Sequence, residues 1–287
     1  MEYSALAHSP FGLSVDIDPG QKLSKGERMQ LKLLLIEHDL MVIRDQQFSD
    51  NEHVSLAGIF GRVEPDETGE PFLMRVTNQY EDSSAPQGKL GFHFDYCYDP
   101  RPVNVITMYG SEIVAGVTPT HFVSSTVLVE QLPLELYSAI KGREAAHCCF
   151  PREFSHKFLQ ANPGPDIARG LPGWNSEYWW MRKPIFEDRA GGRLTLYICE
   201  LYTHSIIGLP EDESLAILKE LYQCLYHVGR QYQHQWQPDD MVIWDNLRVQ
   251  HARPTPNNKQ RTLRRFHTAE DNLTEDYLRV GRENEYL

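Results

Sequence analysis

The segment GFHFDYCYDPRP, residues 91–102, sets one histidine and two aspartates among four aromatic rings. His93 and Asp95 are two positions apart, so on an extended chain an imidazole and a carboxylate project to the same side. Taken alone, such a pair is as readily a polar decoration of an aromatic strand as a metal site. A second group lies far downstream in WDNLRVQHARPTPNNKQRTLRRFH, which holds His251, Arg261, Arg264 and Arg265. His93, Asp95 and His251 together would make a two-histidine, one-carboxylate set. A facial triad of that kind holds non-haem Fe(II) and leaves positions open for O2 and substrate. Even spacing puts Arg261 and Arg265 on one side of a strand, with Arg264 turned the other way toward solvent. Two inward guanidiniums are costly unless anions meet them, and a dicarboxylate co-substrate would supply one. The alternative is a solvated basic strand neutralised by acids such as Glu270 and Asp271. Asp99, just before Pro100, reads as a turn residue.

The elements that must carry these residues can be read in outline. GLSVDID (12–18) alternates like a short strand. Ser24 and Glu27 form a capping box ahead of an apolar-periodic helix, and Ser49 and Glu52 form a second one, opening a helix to about Phe60. LMVIRD (40–45) between them reads as a buried strand. From about Phe72 the pattern changes. FLMRVTN, VNVITMYGSEI, THFVSSTVLV, LTLYICE and DDMVIWDN are short segments rich in β-branched and aromatic residues, the signature of an antiparallel sandwich or barrel. A helix with leucines at helical spacing is predicted from about Glu211 to His227. The stretch 151–182 lacks a clean period and reads as a lid or insertion. The expectation is a single β-rich α+β domain over 1–287.

The chain has 287 residues, with 41% apolar and 24% charged residues and a net charge of −12. This balance disfavours a general nucleic-acid partner. No signal peptide or apolar run of membrane-spanning length is evident, so no membrane partner is expected and the location is read as cytoplasmic. The five cysteines include no C-x-x-C and an adjacent pair, which reads as reduced thiols. The sequon at Asn272 is taken as chance.

Several segments, in order, resemble the taurine dioxygenase-like (TauD/TfdA) family of Fe(II)- and 2-oxoglutarate-dependent oxygenases. They are LMVIRDQQFSDNEHVSLAGIFGRVE, FHFDYCYDPRPVNVITMYG, HQWQPDDMVIWDNLRVQHARP and RTLRRFHTAED. Phe92 stands where that family usually has tryptophan. The resemblance implies a double-stranded β-helix (jelly roll, cupin-like) core with flanking helices. It implies His93, Asp95 and His251 as iron ligands and Arg261 as the partner of the far carboxylate of 2-oxoglutarate. Thr120 in GVTPTHFV would assist that carboxylate, although the glycines and aspartate of the family's GGDT segment are missing. Arg265 would reach the co-substrate or an anionic group of the substrate. Fe(II), 2-oxoglutarate and O2 are the implied cofactors, hydroxylation is the default outcome, and desaturation, ring formation or epoxidation are variants. The asparagine-leucine and twin-arginine features of the C-terminal half are also similar to enzymes that oxidise tyrosine-derived isonitriles in bacterial secondary metabolism. A small anionic or amino-acid-derived metabolite is the expected substrate, and the family makes a dimer or tetramer plausible.

Other readings stay open at this level. They are a non-catalytic jelly-roll metal- or ligand-binding protein, an oxygenase acting on a macromolecule, and a zinc hydrolase, which has no evident use for paired arginines. Phe92, Phe94, Tyr96 and Tyr98 would alternate between pocket and core. The rings of SEYWWMRK could cover the substrate but read first as core. His121, His147, His156, His204, His227, His234 and His267 are read as structural.

Overall fold

The computed structural model describes residues 1–17, 22–66, 68–79, 88–99, 103–149, 151, 154–162, 180–189 and 191–268. Most of the expected insertion over 151–182 lies outside the described residues, as do Glu270, Asp271 and the sequon at Asn272.

In chain order the elements begin with β1 (Glu2–Ala5), β2 (Leu13–Asp16), α1 (Lys25–His38), β3 (Leu40–Ile43), α2 (Asp50–Ala57), β4 (Met74–Thr77), β5 (Leu90–His93) and β6 (Val105–Ile113). Next come β7 (Thr120–Ser124), α3 (Ser125–Val129), α4 (Leu134–Ile140), β8 (Glu144–Cys148), α5 (His156–Ala161), β9 (Trp180–Pro184), β10 (Phe186–Arg189) and β11 (Arg193–Leu196). The chain continues through β12 (Thr203–Ile206), α6 (Glu211–Leu225), β13 (Gln231–His234), β14 (Met241–Asp245), β15 (Val249–Arg253) and β16 (Arg261–Thr268).

Seven strands form one sheet in the order β1-β2-β3-β14-β6-β16-β4, and four form a second in the order β13-β7-β15-β5. All pairs are antiparallel except β2 with β3. The sheets face each other across a core of Val42, Ile106, Met108, Val242, Trp244 and Leu263 from the first and Phe122, Tyr232 and Val249 from the second. This is the jelly roll that the sequence leads one to expect. The outer face of the large sheet is covered by α1 and α2, which bury Leu31, Leu35 and Leu56 against Met41, Ile43, Met241 and Ile243. Alternate residues of β3 therefore enter different cores, which explains why LMVI is apolar without a break.

Both capping boxes form: the Ser24 and Ser49 side chains accept from Glu27 N and Glu52 N, and each glutamate accepts from its serine backbone. One expectation fails in detail. THFVSSTVLV is not a continuous strand. β7 stops at Ser124, whose hydroxyl accepts from the Val127 N–H at 3.1 Å and opens α3. A serine hydroxyl at an N-cap outweighs the β preference of the valines that follow.

Arg264 also departs from expectation. Its guanidinium does not stand in solvent but lies 4.4 Å above the Tyr109 ring and pairs with Asp50 and the Phe48 carbonyl. It thereby ties β16 to the α2 entrance, beside His53. The His53 ring is buried edge-on against Phe266 with its Nε2 2.9 Å from Thr107 Oγ1. Burial, reinforced by Arg264, pushes its pKa down to about 3. A depressed histidine pKa favours the unfolded chain in acid, because only that state takes up the proton. Lowering the pH from 7.5 to 5.5 should therefore cost about 1.4 kcal/mol of stability through His53 alone. Urea midpoints of the metal-free chain should show this loss, and His53→Gln should reduce the pH sensitivity. Equal sensitivity in both chains would contradict the assignment.

Candidate metal centre and active site

β5 and β15 are neighbours in the four-stranded sheet, and their register sets His93 directly opposite His251. The two rings lie 4.2 Å apart, centroid to centroid. Asp95, just beyond the end of β5, turns its Oδ1 to within 3.1 Å of His93 Nε2 and 3.9 Å of His251 Nε2. One donor atom from each residue fits inside a span of 4.8 Å. His93 Nδ1 is 2.9 Å from the Gly91 carbonyl, which can only accept, so the proton sits on Nδ1 and the Nε2 lone pair faces inward. Burial holds the His93 pKa down to about 4 and that of His251 well below the usual histidine range. Both imidazoles are neutral at ordinary pH, as ligation requires. Two imidazoles and one carboxylate without a thiolate are a donor set suited to Fe(II).

The carboxylate is positioned from behind. The Asp95 N–H donates to Asn246 Oδ1 at 3.0 Å, while Asn246 Nδ2 donates to the Asp95 and Val103 carbonyls at 3.0 and 2.8 Å. Asn246 is fully buried at the end of β14. Its partner is 151 residues away, so nothing local in the sequence announces the role. Asn246→Ala should weaken metal binding roughly 10–100-fold, as loss of an outer support does, with His93 and His251 still in place. Metal titration of the folded variant checks this, and unchanged affinity would refute it.

A cavity of about 400 Å³ opens on these three residues, and Thr120, Arg261 and Arg265 line it as well. All six residues singled out in the sequence therefore meet in one place. Arg261 and Arg265 are buried on β16, on the same side of the strand, as their spacing predicts. Arg261 donates from Nη1 to the Thr118 carbonyl at 2.9 Å, and among the described residues no carboxylate pairs with it. Burial, with Arg253 nearby, lowers its pKa to about 10, and burial lowers that of Arg265 to about 9, so both stay charged near neutrality. Arg265 forms an ion pair with Asp95 Oδ2. Thr120 Oγ1 accepts from Trp236 Nε1 at 2.9 Å, which orients the hydroxyl at the cavity edge.

The rings divide cleanly. Phe92 stacks on Tyr226 at 4.3 Å and Phe94 on Tyr197 at 4.7 Å, both in core and on the side opposite His93. Tyr96 has a positive φ of 54°, which breaks the alternation, and Tyr96 and Tyr98 both line the cavity. Trp180 packs on Phe158 in a separate small core, so the part of SEYWWMRK that is described does not cover the site. His267, read as structural, in fact lines the cavity, as do Tyr202, Lys89 and Arg253, which sequence reasoning missed. The remaining histidines keep structural partners: His121 Nδ1 with Gln231 Oε1, His156 with the Leu209 carbonyl, His204 with the Phe154 carbonyl, and His234 between Tyr232 and Asp240.

Comparison with known proteins settles the class. The family model described as taurine catabolism dioxygenase TauD, TfdA family matches residues 2–267. The chain belongs to that family. It is a 2-oxoglutarate-dependent dioxygenase, an oxidoreductase that works with Fe(II) and O2, and the non-catalytic and zinc-hydrolase readings fall away. An alpha-ketoglutarate-dependent 2,4-dichlorophenoxyacetate dioxygenase from Cupriavidus pinatubonensis is 26% identical over 92% of this chain and 96% of its own. A tyrosine isonitrile desaturase from Pseudomonas aeruginosa is 39% identical over 61 residues, 21% of either chain. The solved taurine dioxygenase from Burkholderia xenovorans superposes with a TM-score of 0.72 at 19% identity, covering 94% of this chain and 89% of its own. The substrates that these names describe are small molecules. Among the described residues no helix is long and apolar enough to cross a membrane.

Proposed function

We propose that this TauD/TfdA protein oxidises a small anionic or amino-acid-derived metabolite of secondary metabolism, with His93, Asp95 and His251 holding the iron. The observation that carries the reading is the shared cavity, where three converging donor atoms face two buried guanidiniums. Bound there, iron and the 2-oxo acid supply the activation of O2 and the oxidation of a C–H bond, chemistry that belongs to the cofactor. The chain supplies the rest. Arg261 meets the far carboxylate of 2-oxoglutarate through a charge-assisted pair, and the Thr120 hydroxyl lies at the same cavity edge. Arg265 screens Asp95 and turns its remaining donors toward the substrate. Tyr96, Tyr98 and Tyr202 wall the space in which the substrate must lie and keep water out.

Charge supports an anionic substrate. A divalent ion, Asp95, a dianionic co-substrate, Arg261 and Arg265 leave one positive charge over, and Lys89 adds to the cationic lining. A buried site of this kind favours a matching anion. The 61-residue match to a tyrosine isonitrile desaturase supports an amino-acid-derived substrate and leaves desaturation beside hydroxylation as an outcome. Five free cysteines accord with a cytoplasmic location, and the family suggests a dimer or tetramer.

The test is to add Fe(II) and 2-oxoglutarate under anaerobic conditions. The visible charge-transfer absorption of chelated 2-oxoglutarate should develop. A metal-loaded, folded chain that gives no such band would sink the reading. Co-substrate consumption across a panel of carboxylated and neutral candidates then reports the substrate class.

A further inference from the structure

A second cluster of ligand-type side chains lies behind the cavity. Cys97 follows Asp95 by two residues, His147 is on β8, and Cys199 lies in the loop ahead of β12. All three are 0% exposed. Two sulfurs and an imidazole nitrogen fall within 4.8 Å of one another, and the sulfurs are 3.8 Å apart. Sulfurs bound to one zinc ion at about 2.3 Å with a tetrahedral angle stand about 3.8 Å apart.

Thr203 holds the imidazole in place beside the sulfurs. Antiparallel register sets Thr203 on β12 opposite His147 on β8. Thr203 Oγ1 accepts from the Cys199 N–H at 2.8 Å and lies 3.1 Å from His147 Nδ1. The same hydroxyl is placed to direct its own proton at Cys199 Sγ, 3.9 Å away. That network closes when His147 carries its proton on Nδ1, which leaves a lone pair on Nε2. Nε2 is buried and makes no hydrogen bond. Buried polar atoms in native proteins rarely lack partners, and an orphan calls for a reason. The two cysteines pack with Phe94, Tyr98, Tyr197 and Leu247, and the Tyr197 ring stands edge-on to the imidazole with centroids 5.4 Å apart.

We infer that Cys97, His147 and Cys199 form a second, thiophilic metal site that takes Zn(II). As the bonds form, each thiol gives up its proton to solvent, and two thiolates, a neutral imidazole and a divalent ion carry no net charge. Neutrality is what permits such a site in a sealed aromatic core. The thiolate-rich set favours a soft-ligand ion such as zinc, while the thiolate-free set of His93, Asp95 and His251 suits Fe(II). The ion would clamp three segments, the turn that carries Asp95, the middle of β8 and the approach to β12. The site is independent of the iron-site reading.

Cobalt(II), a spectroscopic stand-in for zinc, tests it. The full chain is refolded from a reduced, metal-free state with Co(II), because the three side chains are closed to solvent once folded. The wild type should bind two equivalents and develop the intense near-ultraviolet absorption of sulfur-to-cobalt charge transfer. His93→Ala should lose one equivalent and keep that absorption. Cys199→Ser should lose the absorption, and Zn(II) should displace cobalt from the sulfur site and bleach it. Refolding with Zn(II) should also raise the melting temperature of His93→Ala. Folded wild type that binds Co(II) with no sulfur band overturns the proposal, whatever the behaviour of the cysteine variant. So does a band that persists in both Cys199→Ser and His147→Gln.

Discussion

A His93→Ala chain is expected to fold, to lose iron and to turn over no substrate. The histidine occupies the end of β5, where its ring touches His251 and Tyr202, and no backbone ladder bond depends on the side chain. Removing it deletes one of the three proposed ligands and, with it, the Nε2 contact to Asp95. Loss of an outer support alone costs about 10–100-fold in metal affinity, so loss of a direct ligand should exceed about 100-fold. The anaerobic charge-transfer band should vanish at iron concentrations that saturate the wild type. Retention of band and activity at those concentrations would show that the metal is held elsewhere.

Arg261→Ala should separate co-substrate binding from metal binding. Among the described residues no carboxylate pairs with Arg261, whose Nη1 donates to the Thr118 carbonyl. Truncation would leave the far carboxylate of 2-oxoglutarate buried and unpaired. Breaking a buried charge pair costs about 2–5 kcal/mol, so the concentration of 2-oxoglutarate needed for half-maximal activity should rise by roughly 30-fold or more. Iron affinity should change little, because Arg261 touches none of the three ligands. Arg261→Lys should recover only part of the loss, since an ammonium cannot form the planar two-point pair. A variant with weakened iron binding and normal 2-oxoglutarate dependence would reverse the assignment.

What could be read from the chain follows the range of the forces involved. The capping boxes at Ser24 and Ser49 are complete within four residues and were legible. So was the parity of Arg261 and Arg265, because a strand has a fixed period of two. Residue types allowed His93, Asp95 and His251 to be grouped, but it took a resemblance to single out His251 among the histidines, since nothing local links β5 to β15. Asn246, Tyr202 and the Cys97–His147–Cys199 cluster were invisible for the same reason. Each acts on residues brought near by sheet pairing or by loops that return across it. Arg264 was misjudged because alternation says which side a residue faces, and not whether a helix entrance or a tyrosine ring covers that side. Tyr96 defeated alternation itself, since one left-handed residue reverses the parity of all that follow.

The proposed metal ligands and Arg261 belong to different sheets. His93, Asp95 and His251 ride on or beside strands of the four-stranded sheet, and Arg261 rides on β16 of the seven-stranded one. Facing sheets keep a spacing of about 10 Å that their interdigitated side chains determine. In the proposed reading this gap is a ruler. A 2-oxo diacid must span it with one end on the ion and the other on the guanidinium. Selection of the co-substrate by length is then a property of the core between the sheets, where Phe122 and Trp244 meet at 5.2 Å, and substitutions there would act on that spacing and on the His251 ring that packs against both.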